Sequence, residues 1–266
     1  METPRRDSYS AGTEAALDDQ VRDFIEQYRF VIARTKVDRY RAYALRHKVF
    51  REELNYRLGE NADIPFEKDA HDRHAILCLL HHTTSKRDAG CLRVVLASSD
   101  PADKRLLPLE ESCAHGLTDP LLHPSKFERS CLCEVSRLAV HPDFRRSRDC
   151  ALGLREQDLQ LLEKNRLPPP SPLVTLSLFL AATAVVGLVG RYQVFAMMEP
   201  RFARLLKISG LQFRQVGDVI DYCGPRAAYY IDQRDAERDL QAPLQPLYWH
   251  IKESIAPQLT NELNVL

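Results

Sequence analysis

The sequence predicts an α/β sandwich, a mixed sheet covered by helices on both faces. Three observations carry the prediction. Segments with strand character alternate with segments of helical period along most of the chain. The stretch Cys131–Val140, C-L-C-E-V-S-R-L-A-V, is mostly small or apolar on both alternating faces, as in a strand inside a covered sheet. Leu173–Gly190 carries no charge over eighteen residues and reads as a helix buried all round.

In chain order, residues 19–27 suit a short helix after a polar arm, and Phe30–Ala33 suits a strand. Asp38 can cap a helix running to about Leu54, with Ala42, Leu45 and Val49 as its apolar stripe and Arg46 at the stripe's edge. Residues 57–66 read as a loop, followed by the acidic stretch Glu67-Lys-Asp69-Ala-His-Asp72. Ala75–Leu80 and Gly90–Ala97 form a hairpin across a polar turn. Residues 98–128 hold four prolines and no regular period; a long irregular stretch in a compact domain leans towards function. After the central strand come the basic turn Phe144–Asp149, an amphipathic helix Cys150–Lys164 and the rigid break L-P-P-P-S-P. The apolar helix, a strand Tyr192–Met198, a helix from Glu199-Pro200 to Ile208 and strands at Leu211–Val216 and Ala227–Ile231 complete the sandwich. The organisation is one domain over 29–240, between an N-terminal arm (1–28) and a peripheral C-terminal segment (241–266).

Composition narrows the function classes. Lys+Arg and Asp+Glu both number 37, so bulk charge favours neither nucleic acid nor membrane as partner, and no basic face or recognition helix is present. The N-terminus is polar through Gln20, without a secretory pattern. Seven cysteines lack zinc-type spacing and read as reduced core thiols of a cytoplasmic protein with no metal site. Leu173–Gly190 reaches only the lower limit of a bilayer span. Thr175, Ser177, Thr183 and the closing glycines favour burial in the sandwich.

The central strand poses the chemical question. Glu134 and Arg137 sit in an otherwise buried segment, and a buried charge costs several kcal/mol, order of magnitude, unless it is paired. They therefore mark a cleft or a network. Strict alternation puts them on opposite faces, so a shared cleft requires a bulge near Val135–Ser136.

Four spaced motifs resemble the acyl-homoserine-lactone synthase branch of the N-acetyltransferase-like (GNAT) fold. They are Arg46-x-x-Val49-Phe50 with Tyr56 where that branch has tryptophan, Glu67-x-Asp69-x-x-Asp72, Gly90-x-x-Arg93 and Glu134-x-Ser136-Arg137. The segment Phe195-Ala-Met-Met-Glu-Pro-Arg, with Gly210, Phe213, Gly217, Asp221-Tyr222 and Gly224-x-Arg226, is similar to the PEP-CTERM/exosortase-associated acyltransferases and the N-acyl amino acid synthases. Cys223 departs from the histidine common there.

The resemblance implies a three-layer α-β-α sandwich with a splayed central sheet and transfer of a fatty acyl group from a thioester to an amine. Such a reaction needs a proton acceptor for the amine, donors for the tetrahedral oxyanion and an apolar tunnel. It makes Glu134 the candidate base, with Ser136 and Arg137 beside it as catalytic candidates. Arg137 also suits a clamp onto Asp69 or Asp72. Arg46 and Arg93 become candidates for a substrate carboxylate, Asp69 and Asp72 for its ammonium, and Tyr56 for further substrate contact; pairing among these charges is the competing role. Phe179 and the apolar helix suit the acyl tunnel. No tightly bound cofactor is implied; the donor is a phosphopantetheine thioester.

Coenzyme-A-dependent members of the superfold cradle pyrophosphate in a glycine-rich turn after the central strand. Here that turn reads F-R-R-S-R-D-C-A, and Arg145, Arg146 and Arg148 suit docking of an acidic acyl carrier protein instead. The expected function is an N-acyl amino acid synthase acting on an amino acid, with peripheral membrane contact through its lipid product. The alternatives are an acyl-homoserine-lactone synthase using S-adenosylmethionine and a non-catalytic module that binds an acyl carrier or a lipid.

Overall fold

The computed structural model describes residues 19–56, 64–145 and 170–259, with Gln157, Gln160, Leu161 and Lys164 between them. The elements are α1 (19–27), β1 (Tyr28–Ile32), α2 (Lys36–Arg46), β2 (Ala75–His82), β3 (Arg87–Leu96), α3 (Pro108–Ser112) and β4 (Leu132–Val140). They continue with α4 (Pro170–Leu188), β5 (Gln193–Met198), α5 (Pro200–Ile208), β6 (Arg214–Gln215), β7 (Ile220–Asp221), β8 (Pro225–Asp232), α6 (Gln233–Arg238) and α7 (Gln245–Leu259). The expected helix Cys150–Lys164 falls largely outside the described residues.

One sheet runs in the order β1-β2-β3-β4-β5-β8-β6, with β7 paired to β8. All pairings are antiparallel except β4–β5. A buried apolar cluster lies on each face, which gives the three layers. The α4 layer packs against Ile76, Cys78, Leu92, Val94 and Val135. The α2 layer meets Leu77, Cys91, Val95, Leu132 and Ala139. Gly90 lets α4 approach, since a Cβ there would lie 2.6 Å from Leu178.

α4 is buried in the sandwich, and among the described residues no helix is long and apolar enough to cross a membrane. The helix from residue 36 is capped by Thr35, whose side chain accepts from the Asp38 amide, so Asp38 sits in the first turn rather than at the cap. It continues into a π-helical stretch, His47–Glu53. The C-terminal segment is not peripheral. Leu247, Tyr248, Ile251, Ile255 and Leu259 of α7 are buried in the α4-side core, and Gln258 bonds both the Phe30 carbonyl and the Ile32 amide. An apolar face of that size cannot be left in water. The second half of the arm 1–28 likewise buries Val21 and Phe24. The strand expected at Leu211–Val216 shrinks to Arg214–Gln215, and β7 and α6 were not foreseen. Among the described residues the cysteines are free, and Cys78, Cys91, Cys113 and Cys133 are buried.

Candidate active site

The central strand carries the expected irregularity one residue later than the sequence suggested. β3 and β4 pair at Arg93↔Ser136 and again at Cys91↔Ala139, so β4 has an extra residue between Ser136 and Ala139. Arg137 takes it up in the left-handed region, φ 52°. A non-glycine residue there costs about 1–2 kcal/mol. The bulge brings Arg137 to the face that carries Glu134 and Ser136.

Arg137 enters a closed ion network. Its Nε donates to Glu67 at 3.1 Å and its Nη2 to Asp69 at 2.8 Å. Arg46 forks onto Asp72 at 2.7 and 3.1 Å and also bonds Glu67. Arg93 meets Asp69 at 2.5 Å and Asp72 at 3.3 Å, and donates to Ser136 Oγ at 3.1 Å. The acidic stretch holds its own shape through reciprocal capping. Asp69 accepts from the His71 amide, and Asp72 accepts from the Asp69 amide. Three guanidinium groups thus face three carboxylates with no net charge, and each of the six residues has an ion partner, although Arg93 Nη2 is buried without a hydrogen bond. Burial alone would raise the Asp72 carboxyl, but Arg46 and Arg93 draw it down to about 2. Glu67 and Asp69 are likewise held below the carboxylate range against their burial, chiefly by Arg46 and Arg93 respectively, with Arg137 adding to both.

Two sequence expectations are corrected here. Arg46 and Arg93 are 1% and 0% exposed, and neither lines the cavity, so they do not hold a substrate carboxylate in this arrangement. Asp72 is equally enclosed, Asp69 is occupied by two arginines, and neither lines the cavity, so neither carboxylate faces an ammonium there. Their shared role is to tie the acidic stretch to α2, β3 and β4.

The cavity lies where β4 and β5 part. They pair only from Leu132↔Gln193 to Glu134↔Phe195, although β4 runs on to Val140 and β5 to Met198. The edges beyond, 135–138 and 196–198, line a cavity of about 140 Å³. Val49, Phe50, Leu54 and Tyr56 close one side, delivered by the wide π-helical turn, while α3 and Phe179 of α4 contribute others. Mostly apolar, it contains Glu134, Ser136 and Arg137.

Glu134 has no salt-bridge partner among the described residues. One oxygen accepts the Leu109 amide at 2.7 Å, at the start of α3. Burial pushes its carboxyl up to about 7, opposed by the Leu109 amide and by the charges of Arg93 and Arg137. A carboxyl poised near neutrality in an apolar cavity can accept a proton from an amine. Ser136 lines the cavity, but its hydroxyl is turned to Arg93.

Sequence reasoning missed Leu109 and gave no site role to Glu199, Tyr222 and Arg226, which it named only within the C-terminal motif; all four line the cavity. Only the start of α3 carried a local signal, Leu107-Pro108 with Glu110 returning to the Leu107 amide at 2.7 Å. The proposed carrier-docking group is also corrected. The Arg145 side chain is 1% exposed and bound to Glu53, so it faces inward, while Arg146 and Arg148 lie outside the described residues.

The splayed mixed sheet and its bulged central strand define a GNAT-like acyltransferase fold. Residues 45–154, which hold the whole ion network and Glu134, match the model of the acetyltransferase (GNAT) domain, and the protein is an acyltransferase. No curated protein matches the chain by sequence. Among solved structures it is similar to TofI in a ternary complex with an inhibitor and MTA, at 18% identity and TM-score 0.55, over 82% of this chain and 99% of that one. It is similar to FeeM, an N-acyl amino acid synthase from uncultured soil microbes, at 15% identity and TM-score 0.55, over 80% and 95%. It is also similar to BjaI, a CoA-dependent acyl-homoserine lactone synthase with SAM and isopentyl-CoA, at 18% identity and TM-score 0.53, over 85% and 89%.

Proposed function

We propose that this protein is a cytoplasmic N-acyltransferase that moves a fatty acyl group from an acyl carrier protein thioester to the amine of an amino acid. The observation that carries the reading is Glu134, a carboxyl tuned to about 7 inside an apolar cavity at the parting of two parallel strands. The amine nitrogen attacks the thioester carbonyl, and its proton passes to Glu134 directly or through one water. Backbone amides on the unpaired edges of β4 and β5 would serve as fixed donors for the oxyanion. Collapse expels the phosphopantetheine thiolate, and Glu134 returns its proton to that sulfur.

The likeness to FeeM and the C-terminal motif Gly224-x-Arg226 support an amino acid acceptor and an exosortase-associated setting. The absence of glycine from the turn after β4 supports a carrier protein over coenzyme A. The test is mass spectrometry of lipids from an expressing host. Long-chain N-acyl amino acids, lost in Glu134→Gln, are the expected result. Acyl-homoserine lactones would overturn the acceptor assignment, and no new lipid from wild type would overturn the enzymatic reading.

A further inference from the structure

Arg226 stands apart from the closed network. It lies at the start of β8, one residue beyond the β7–β8 turn, whose Cys223 and Gly224 take φ 53° and 97°. Its register partner across that hairpin is Ile220. It lines the same cavity as Glu134, with its guanidinium over the Tyr56 ring at 5.8 Å. Unlike Arg46, Arg93 and Arg137, it has no close carboxylate among the described residues. Glu199 approaches Nη2 only at 3.9 Å and is itself half exposed. The Nε is buried with no hydrogen-bond partner.

A buried donor without a partner costs about 1–3 kcal/mol. Nε and Nη2 form one edge of the guanidinium, the edge that accepts a carboxylate through two parallel hydrogen bonds. Here one donor of that edge is unsatisfied and the other is loosely held. The aromatic face of Tyr56 fixes the plane of the group, as cation–π stacking does.

We infer that Arg226, seated on Tyr56, is the binding site for the carboxylate of the amino acid acceptor, with the α-amine directed towards Glu134 in the same cavity. This rests on the reading of the protein as an N-acyl amino acid synthase and supplies the acceptor subsite that Arg46 and Arg93 cannot provide. The reaction's product carries the same carboxylate, so product binding reports on the site without turnover.

The experiment titrates N-decanoylglycine and its methyl ester, both below their micelle concentrations, into wild type, Arg226→Gln and Arg226→Lys, with circular dichroism confirming that each is folded. Wild type is expected to bind the acid about 10- to 100-fold more tightly than the ester, the worth of a charge-assisted contact. Arg226→Gln should lose that preference while keeping its affinity for the ester, and Arg226→Lys should retain part of it. In steady state, Arg226→Gln should raise KM for the amino acid by a similar factor and leave KM for the acyl donor unchanged. A preserved acid preference in Arg226→Gln overturns the proposal, as does a wild type that binds acid and ester alike. If the host makes N-acyl amino acids but the preference survives in Arg226→Gln, only the Arg226 assignment fails. If no such lipid forms, the functional reading fails, and the titration still decides whether Arg226 holds a carboxylate.

Discussion

Glu134→Gln separates chemistry from architecture because its two effects have opposite signs. The amide keeps the side chain's size and an oxygen to accept the Leu109 amide, so the local structure should persist. What is lost is the proton acceptor, and general-base catalysis contributes about 10²–10⁴-fold. Stability should move the other way. The carboxyl sits at about 7 in the folded protein against 4.5 as its ordinary value. A carboxyl raised on folding leaves the folded state holding the proton while the unfolded state has lost it. Stability therefore falls as pH rises from about 4.5 to about 7 and stays lower above that. At 1.36 kcal/mol per unit the loss is about 3 kcal/mol. Glutamine removes it, so the variant should equal wild type near pH 4.5 and exceed it by up to about 3 kcal/mol at pH 8.

The assays are urea unfolding at both pH values and the pH profile of kcat/KM. Protonation of the acceptor amine contributes unit slope to the acid limb in both proteins. Wild type should show a second unit of slope below about pH 7, from Glu134, which the variant lacks. A variant that is destabilised at pH 8, or that keeps the steeper acid limb, would refute the assignment of Glu134 as an unpaired, titrating base.

Other perturbations address the network, the tunnel and the donor. Arg46→Met leaves Glu67 and Asp72 buried beside an apolar side chain, and should cost about 3–5 kcal/mol in urea unfolding. The depressed carboxyl of Asp72 contributes stability above its ordinary value of 3.8, lost as pH falls through about 2, so acid unfolding by circular dichroism should begin at higher pH in Arg46→Met. Val135 and Phe179 line both the main cavity and a second, apolar one of about 20 Å³ between β4, β5 and α4. Phe179→Ala should join the two and shift the products towards longer acyl chains in lipid mass spectrometry. Purified enzyme should turn over acyl carrier protein thioesters faster than acyl-coenzyme A, and equal rates would remove the carrier-protein assignment.

The layers, the central strand and the β2–β3 hairpin were legible in the sequence because burial writes them as period and composition. The apolar stretch at 173–190 favoured a helix covered all round over a bilayer span, and the hairpin 75–97 shows clear punctuation. Of the ion network, the clamp of Arg137 onto Asp69 was legible, but the pairings of Arg46 and Arg93 were not. Which arginine meets which acid depends on the fold of residues 64–74, and the alternatives were equal by residue type. The roles of Leu109 and Arg226 were illegible for another reason, although Arg226 itself falls in a motif. One acts through a backbone amide that any residue could supply, and the other stands out only because the fold brings it into the cavity with a single loose carboxylate contact, Glu199 at 3.9 Å.

The network and the cleft have one cause. Arg137 takes a backbone conformation that costs about 1–2 kcal/mol, and its two bonds to Glu67 and Asp69 hold it there. The residue taken up at 137 bends and twists β4 as a bulge does. β4 keeps its antiparallel partner β3 on either side of the bulge but loses β5 beyond Glu134. The strand edges left unpaired beyond Glu134 line the cavity, and the bulge aligns Arg137 with the face that carries Glu134. Three arginines and three acids that look at first like surplus charge in a core thus fix the bulged β4 beside the parting of two parallel strands, where an apolar, enclosed setting lets the Glu134 carboxyl titrate near neutrality.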